Sequence, residues 1–234
     1  MNESQLANRF WQDGYLVLEN FFDLQLMDKY HQLILDYFGE NPEFYHNQEF
    51  LSKASTEVIP WFPQREGINA FDKIADDPLL NALTQEILGT GWGAQYCMVM
   101  FSKQGTRGQA WHQDCPPDNT DIFNMNRLVY TNDIVPEIGG LTLVVPGSHR
   151  RGILSVGDPL EDFQDQVVLA PAKGTLVLLH GHTWHRVLPV NGPYRVSTNY
   201  RCGPAGTPED VTDICVYRNM LYQFSSNQVV EERV

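Results

Sequence analysis

GGLTLVVPGSH, residues Gly139 to His149, sets a glycine pair, five β-branched or aliphatic-rich positions and a Pro-Gly turn one after another. A short apolar run bounded by such breakers is a strand signal and is too brief for a helix. The same alternation fills the chain from Gln95 onward. Tyr96 to Ser102, Arg127 to Ile134, Val167 to Leu169, Thr175 to Leu179 and Tyr194 to Tyr200 read as strands, punctuated by Gly105, Pro171, Gly174 and Gly192-Pro193.

Upstream the period is helical. Glu3 to Asp13 reads as a helix that Gly14 breaks before a small strand, Tyr15 to Leu18. Asp23 is placed to cap a second helix through Phe38, ended by Gly39. Asp77-Pro78 opens a third, with Leu79, Leu80, Leu83, Ile87 and Leu88 on its apolar face and Gly89 as the stop. Between Asn41 and Asp77, Pro42, Pro60 and Pro63 stand among aromatics, so a loop or lid is expected there. Glu209 to Phe224 reads as helical. Helices first and strands later predict an α+β chain, mainly β, whose catalytic part is an antiparallel sandwich or jelly roll backed by N-terminal helices.

The 234 residues fit one domain over 1–234, with a helical part at about 1–92 and the β core at about 93–203. A formal charge of −13 repels polyanions and argues against nucleic acid as a partner. Cys97, Cys115, Cys202 and Cys215 form no C-x-x-C pair, so reduced thiols are expected rather than a zinc knuckle. No stretch approaches about 18 consecutive apolar residues, so a soluble, cytoplasmic protein is expected, with no membrane partner.

Trp111-His112-Gln113-Asp114 places an imidazole and a carboxylate at i and i+2, which share a face in an extended chain. Alone, H-x-D is a weak signal. His185 strengthens it: it follows the strand Thr175 to Leu179 and precedes Arg195 by ten positions across Asn191-Gly192-Pro193, so a hairpin is expected to set His185 and Arg195 near each other. Two histidines and one carboxylate occupy one face of an octahedron and leave three adjacent positions free, as Fe(II) oxygenases require. Those openings suit a bidentate 2-oxo acid and O2. Arg195 offers a guanidinium fork for the acid's distal carboxylate, and Ser197, two residues on, a hydroxyl on the same face.

Taken in order, these segments resemble the phytanoyl-CoA dioxygenase family of Fe(II)/2-oxoglutarate oxygenases, over most of the chain. Phe10 to Leu18 is similar to the family's opening helix and strand, Trp111 to Asp114 to its first metal motif, and Gly139 to His149 to its glycine turn, core strand and P-G-S-H turn. Leu179-His180, His185 and Arg195 match its distal histidine and cosubstrate arginine. The resemblance implies a double-stranded β-helix of cupin-like form, iron held by His112, Asp114 and His185, and 2-oxoglutarate held by Arg195, Ser197 and Thr142. It also implies a dioxygenase that releases succinate and CO2 while hydroxylating a small molecule such as a secondary metabolite, an amino-acid-like or an acyl compound. Asp114 is a true carboxylate, so hydroxylation is read over halogenation. Asn126 and Gln109 stand close to cosubstrate-lining positions in such folds, while Tyr96 to Ser102 shows no obvious polar group for the other end of 2-oxoglutarate.

Two other readings stay open: a cupin-like metal oxygenase or isomerase that uses no 2-oxo acid, and a non-catalytic jelly-roll binding module. Monomer and homo-oligomer are undecided. His149 and His180 are expected to bond or pack, His182 to support the site or face solvent, and His31 and His46 have no partner motif. Trp61, Phe62 and Phe71 are read as loop anchors ahead of a substrate lid, and Arg150-Arg151 as a solvated face. Trp111 and Trp184 either wall the pocket or fill the core.

Overall fold

The computed structural model describes residues 2–39, 43 and 47–234. In chain order these are α1 (Glu3–Asp13), β1 (Tyr15–Leu18), α2 (Leu24–Phe38), α3 (Gln48–Ala54), β2 (Ile59–Trp61), α4 (Asp72–Ala75), α5 (Pro78–Leu88), β3 (Gly93–Lys103), β4 (Gln109–Gln113), β5 (Met125–Val129) and β6 (Thr142–Val144). They continue as β7 (Val167–Leu169), β8 (Leu176–His180), β9 (His185–Val187), β10 (Tyr194–Gly203), β11 (Ile214–Tyr217), β12 (Met220–Gln223) and β13 (Gln228–Glu232). The strands form two antiparallel sheets, ordered β1-β8-β5-β10-β3-β2 and β13-β12-β11-β4-β9-β6-β7. This is the mainly β jelly roll expected.

The helices end where their residues dictate. Asn2 and Gln5 form a reciprocal capping box on α1, and Gly14 closes it in the left-handed region at φ 78°. Asp23 and Asp77 each accept a backbone N–H at 2.9 Å, from Leu26 and Leu80. The apolar stripes so oriented, Met27, Tyr30 and Ile34 of α2 with Leu80, Leu83 and Ile87 of α5, pack with Phe10 on the outer face of the six-stranded sheet.

Strand alternation divides the sheet's two faces. In β8, Leu176 and Leu178 join the cluster under the helices, whereas Val177 and Leu179 turn inward between the sheets. Each such fully buried aliphatic side chain contributes about 1.5–3 kcal/mol. In β10, Val196, Tyr200 and Cys202 face the helices, which turns Arg195, Ser197, Asn199 and Arg201 to the inside. The sandwich interior is thus polar along this one strand.

Three expectations are corrected. The segment 41–77 is not simply a loop: α3, β2 and α4 lie within it, although Pro42 and most of its first residues fall outside the described residues. Asn47 caps α3, which buries Phe50 and Ala54 against Tyr217 and Tyr222, and β2 pairs with the edge of β3, where Pro60 is tolerated. Trp61 stacks on Tyr37 and Phe71 on Tyr30, so both are anchors of the core.

The span Glu209 to Phe224 is not helical. Ile214-Cys215-Val216-Tyr217 is an apolar, largely β-branched run that pairs with β4, and Arg218-Asn219 turns the chain into β12. The second sheet therefore continues well past Gly203.

His185 and Arg195 do not share a hairpin. β9 pairs with β4 and β6, whereas β10 pairs with β3 and β5 in the opposite sheet. The turn at Asn191-Gly192 bonds to the carbonyl of Ile138 and carries the chain from one sheet to the other.

Candidate metal centre and cosubstrate pocket

His112 on β4 and His185 on β9 are direct cross-strand partners, with ring centroids 4.1 Å apart. Asp114 follows β4, its backbone N–H bonded to the carbonyl of Gly181 at 2.8 Å, and one ligand atom from each of the three residues lies within 4.8 Å of the others. His112 Nδ1 donates to the Ala110 carbonyl and His185 Nδ1 to the Thr183 carbonyl, both at 2.8 Å. Each backbone bond fixes the tautomer and turns Nε2 toward the carboxylate, at 3.8 Å from Asp114 Oδ1 and 3.6 Å from Oδ2 respectively. The ring of Tyr217 stacks on His112 at 5.4 Å and limits its rotation.

Burial, helped by His185 and Arg201, pushes the His112 imidazole down to about 3, so it is a neutral donor. Burial acting alone would raise Asp114, but Arg201, then the imidazoles and Asn126, hold its carboxyl below the usual range. A neutral imidazole and an ionised carboxylate are the protonation states that a divalent cation needs.

Across the same interior, Arg195 is 2 % exposed. Its Nε donates to the Gly140 carbonyl at 2.8 Å, Nη1 to Ser197 Oγ at 3.0 Å and Nη2 to Thr142 Oγ1 at 3.3 Å. Arg195, Ser197 and Thr142 are therefore brought together, although by convergence of two sheets. One cavity of about 1450 Å³ is lined both by this cluster and by the triad. Gln109 and Asn126 line it as well, as do the aromatic Phe62, Tyr96 and Tyr222 and the exposed Phe224.

Two contacts went unseen in the sequence. Asn126 Nδ2 donates to Asp114 Oδ2 at 2.5 Å, and Arg201 Nη2 lies 3.2 Å from Asp114 Oδ1. Period-two spacing from Arg195 through Ser197 and Asn199 to Arg201 is the signal that could have found the second.

Residues outside the pocket behave as structural groups. His149 bonds the Trp11 carbonyl, and His180 stacks on Phe123 at 4.0 Å. His182 is buried, 4.9 Å from the His180 ring, and His31 bonds Thr131 and Tyr194. His46 lies outside the described residues. Trp111 and Trp184 fill a separate apolar cluster with Leu143 and Leu154. Arg150 does not merely face solvent; it caps the last carbonyls of α1 at Trp11 and Gln12.

The model of the phytanoyl-CoA dioxygenase family matches residues 10–193, most of the chain and all three residues of the triad. The chain belongs to the phytanoyl-CoA dioxygenase family. Iron, 2-oxoglutarate and O2 are the working set of that family, and the activity is accordingly that of an iron- and 2-oxoglutarate-dependent oxygenase-type enzyme. The donors fit: a facial N, N, O set with Nε2 atoms free to coordinate suits Fe(II), and a buried guanidinium flanked by two hydroxyls suits a carboxylate.

Among solved structures the fold is similar to that of the non-haem α-ketoglutarate-dependent epimerase SnoN from nogalamycin biosynthesis. The TM-score is 0.68 at 17 % identity, over 92 % of this chain and 85 % of that one. It is also similar to HygX from Streptomyces hygroscopicus with nickel and 2-oxoglutarate bound, with a TM-score of 0.68 at 14 % identity over 88 % of each chain. No curated protein matches the sequence. No helix among the described residues is long and apolar enough to cross a membrane.

Proposed function

We propose that this family member is a 2-oxoglutarate-dependent hydroxylase of a small organic molecule, with His112, Asp114 and His185 as the iron ligands and Arg195, Ser197 and Thr142 as the anchor of the cosubstrate's distal carboxylate. The observation that carries the reading is that a buried His-Asp-His cluster and a buried arginine cradle line one cavity. Iron held there together with 2-oxoglutarate would activate O2, one oxygen atom going into succinate as the 2-oxo acid is oxidatively decarboxylated and the other oxidising the substrate. The protein's own residues orient and exclude. Thr142 and Ser197 accept from the two terminal nitrogens of the guanidinium and fix its plane, Leu128 and Val187 add apolar lining to the same cavity, and the Nδ1 bonds keep both Nε2 atoms aimed at the carboxylate.

Asp114 supports hydroxylation over halogenation, because a carboxylate leaves no ligand position for a halide. A cavity of about 1450 Å³ exceeds the roughly 300–1,000 Å³ of an ordinary small-ligand pocket and leaves room for a bulky substrate beside the cosubstrate. Aromatic walls at Phe62, Tyr96 and Tyr222 favour a substrate with apolar faces, such as a secondary metabolite, over a free amino acid.

Anaerobic protein loaded with Fe(II) is expected to develop a visible charge-transfer band on adding 2-oxoglutarate, and to convert it to succinate when O2 and a substrate panel are supplied. His112→Ala should lose both, and Arg195→Ala should lose 2-oxoglutarate binding by calorimetry. Labelled O2 in the product separates hydroxylation from epimerisation, which leaves no new oxygen. Binding of metal without binding of the 2-oxo acid would rule out this reading and leave the cosubstrate-free oxygenase or isomerase and the non-catalytic binding module.

A further inference from the structure

Arg201 is buried, and its guanidinium lies against the carboxylate read above as an iron ligand. Nη2 meets Asp114 Oδ1 at 3.2 Å while Nε donates to Asn126 Oδ1 at 2.9 Å. Asn126 in turn donates to Asp114 Oδ2, and Asn199 Nδ2 donates to Asn126 Oδ1 at 2.6 Å. One carboxylate oxygen thus accepts an N–H from Asn126 of β5, and the other faces the charged guanidinium of Arg201 from β10. Among the described residues Asp114 is the one ion-pair partner of Arg201.

A cation so placed is a poor choice for metal affinity alone, because it repels a dication held by the same carboxylate. What it does supply is a fixed carboxylate plane and a pull of electron density away from the oxygens. We propose that Arg201 is a positioning residue of the metal centre, which fixes the orientation of Asp114 and draws charge from it, so that the bound ion is held less tightly and stays a stronger Lewis acid toward the 2-oxo acid. The inference rests on the reading of Asp114 as a ligand. Through the alternation of β10, the strand that anchors the cosubstrate at Arg195 also sets the electronic character of the ligand opposite it.

Co(II) titration of the metal-free full chain tests this apart from turnover. Arg201→Gln removes the charge and is expected to tighten Co(II) binding by about tenfold or more, the direction that removing a like charge in a buried site dictates. In the anaerobic Fe(II) complex with 2-oxoglutarate its charge-transfer band should move to longer wavelength, because a more electron-rich iron gives up charge more readily. A role confined to packing would lower the melting temperature and move neither reading.

Folded Arg201→Gln that binds Co(II) no more tightly than the wild type, or that keeps the wild-type band, overturns the inference. If Arg201→Gln fails to fold, Arg201→Met decides. It removes the charge while filling a similar volume, so tighter Co(II) binding and a band at longer wavelength support the inference, and wild-type values of either refute it. Wild-type protein that binds neither Co(II) nor 2-oxoglutarate would defeat the functional reading itself, a result separate from these.

Discussion

Gly140 carries Arg195 on its backbone: the Gly140 carbonyl accepts from Arg195 Nε at 2.8 Å, and a Cβ built on Gly140 would stand 2.6 Å from Arg195 Cδ. Gly140 also sits at φ 65°, where a side chain is strained. The second glycine of the pair that marks the strand in the sequence is thus also the floor beneath the Arg195 side chain.

Gly140→Ala is therefore expected to push the guanidinium away from Ser197 and Thr142. Calorimetry should show 2-oxoglutarate affinity reduced by about tenfold or more, since a charge-assisted pair is lost from a buried site. Co(II) affinity should stay near wild type, because the triad is untouched. Loss of both together would mean that the fold, not the anchor, was damaged.

Tyr217 gives a complementary case beside the His-Asp-His cluster. Tyr217→Phe keeps the ring against His112, whereas Tyr217→Ala leaves a void and frees the imidazole to rotate. The alanine variant should lose about 3–5 kcal/mol of stability in urea unfolding and about tenfold in Co(II) affinity. The phenylalanine variant should stay within a few-fold of wild type in affinity. Equal effects of the two would show that the phenol, not the stacked ring, matters.

Acid sensitivity follows from the buried imidazoles. Burial pushes His182 down to about 4 and His112 to about 3. The unfolded chain takes up protons near pH 6.5, but the folded metal-free protein does not until these lower values, so the unfolded state binds more protons between them. Stability is therefore fully present above about pH 6.5 and falls toward pH 4, by up to about 1.4 kcal/mol per pH unit for each such group. Urea unfolding across that range should give this slope, and His182→Gln should reduce it. A flat profile would contradict the burial of both rings.

The thiols provide a further check. Cys97, Cys115, Cys202 and Cys215 are all free and buried, and burial pushes Cys97 and Cys115 up to about 12 and Cys202 up to about 11. Native protein should react with an aromatic disulfide reagent at no cysteine at pH 8, whereas denatured protein should react at all four. A fast-reacting thiol in the native state would place one of them at the surface.

Local chemistry was legible in the sequence, and long-range pairing was not. Asp23, Asp77 and Pro78 start helices by satisfying backbone groups within a few residues, so they read correctly. His112 and Asp114 share a face because strand geometry is a property of three residues. Whether Asn191-Gly192 closes a hairpin or passes the chain to another sheet depends on Ile138, more than fifty positions away, whose carbonyl takes the turn's N–H groups. Ile214 to Tyr217 failed for the same reason. The run is fixed as strand by pairing with β4, about a hundred residues earlier. Arg201 was hidden because an arginine acquires its meaning only from the carboxylate it meets.

Placing Arg195, Ser197, Asn199 and Arg201 on alternate positions of β10 has an evolutionary edge to it. Insertion or loss of a single residue inside that strand would leave its ladder able to re-pair with β3, yet would put the side chains before and after it on opposite faces, so that Arg195 and Arg201 no longer shared the interior. The aromatics at the cavity rim can change one at a time without disturbing this alternation, whereas the length of β10 is a single constraint on both polar clusters.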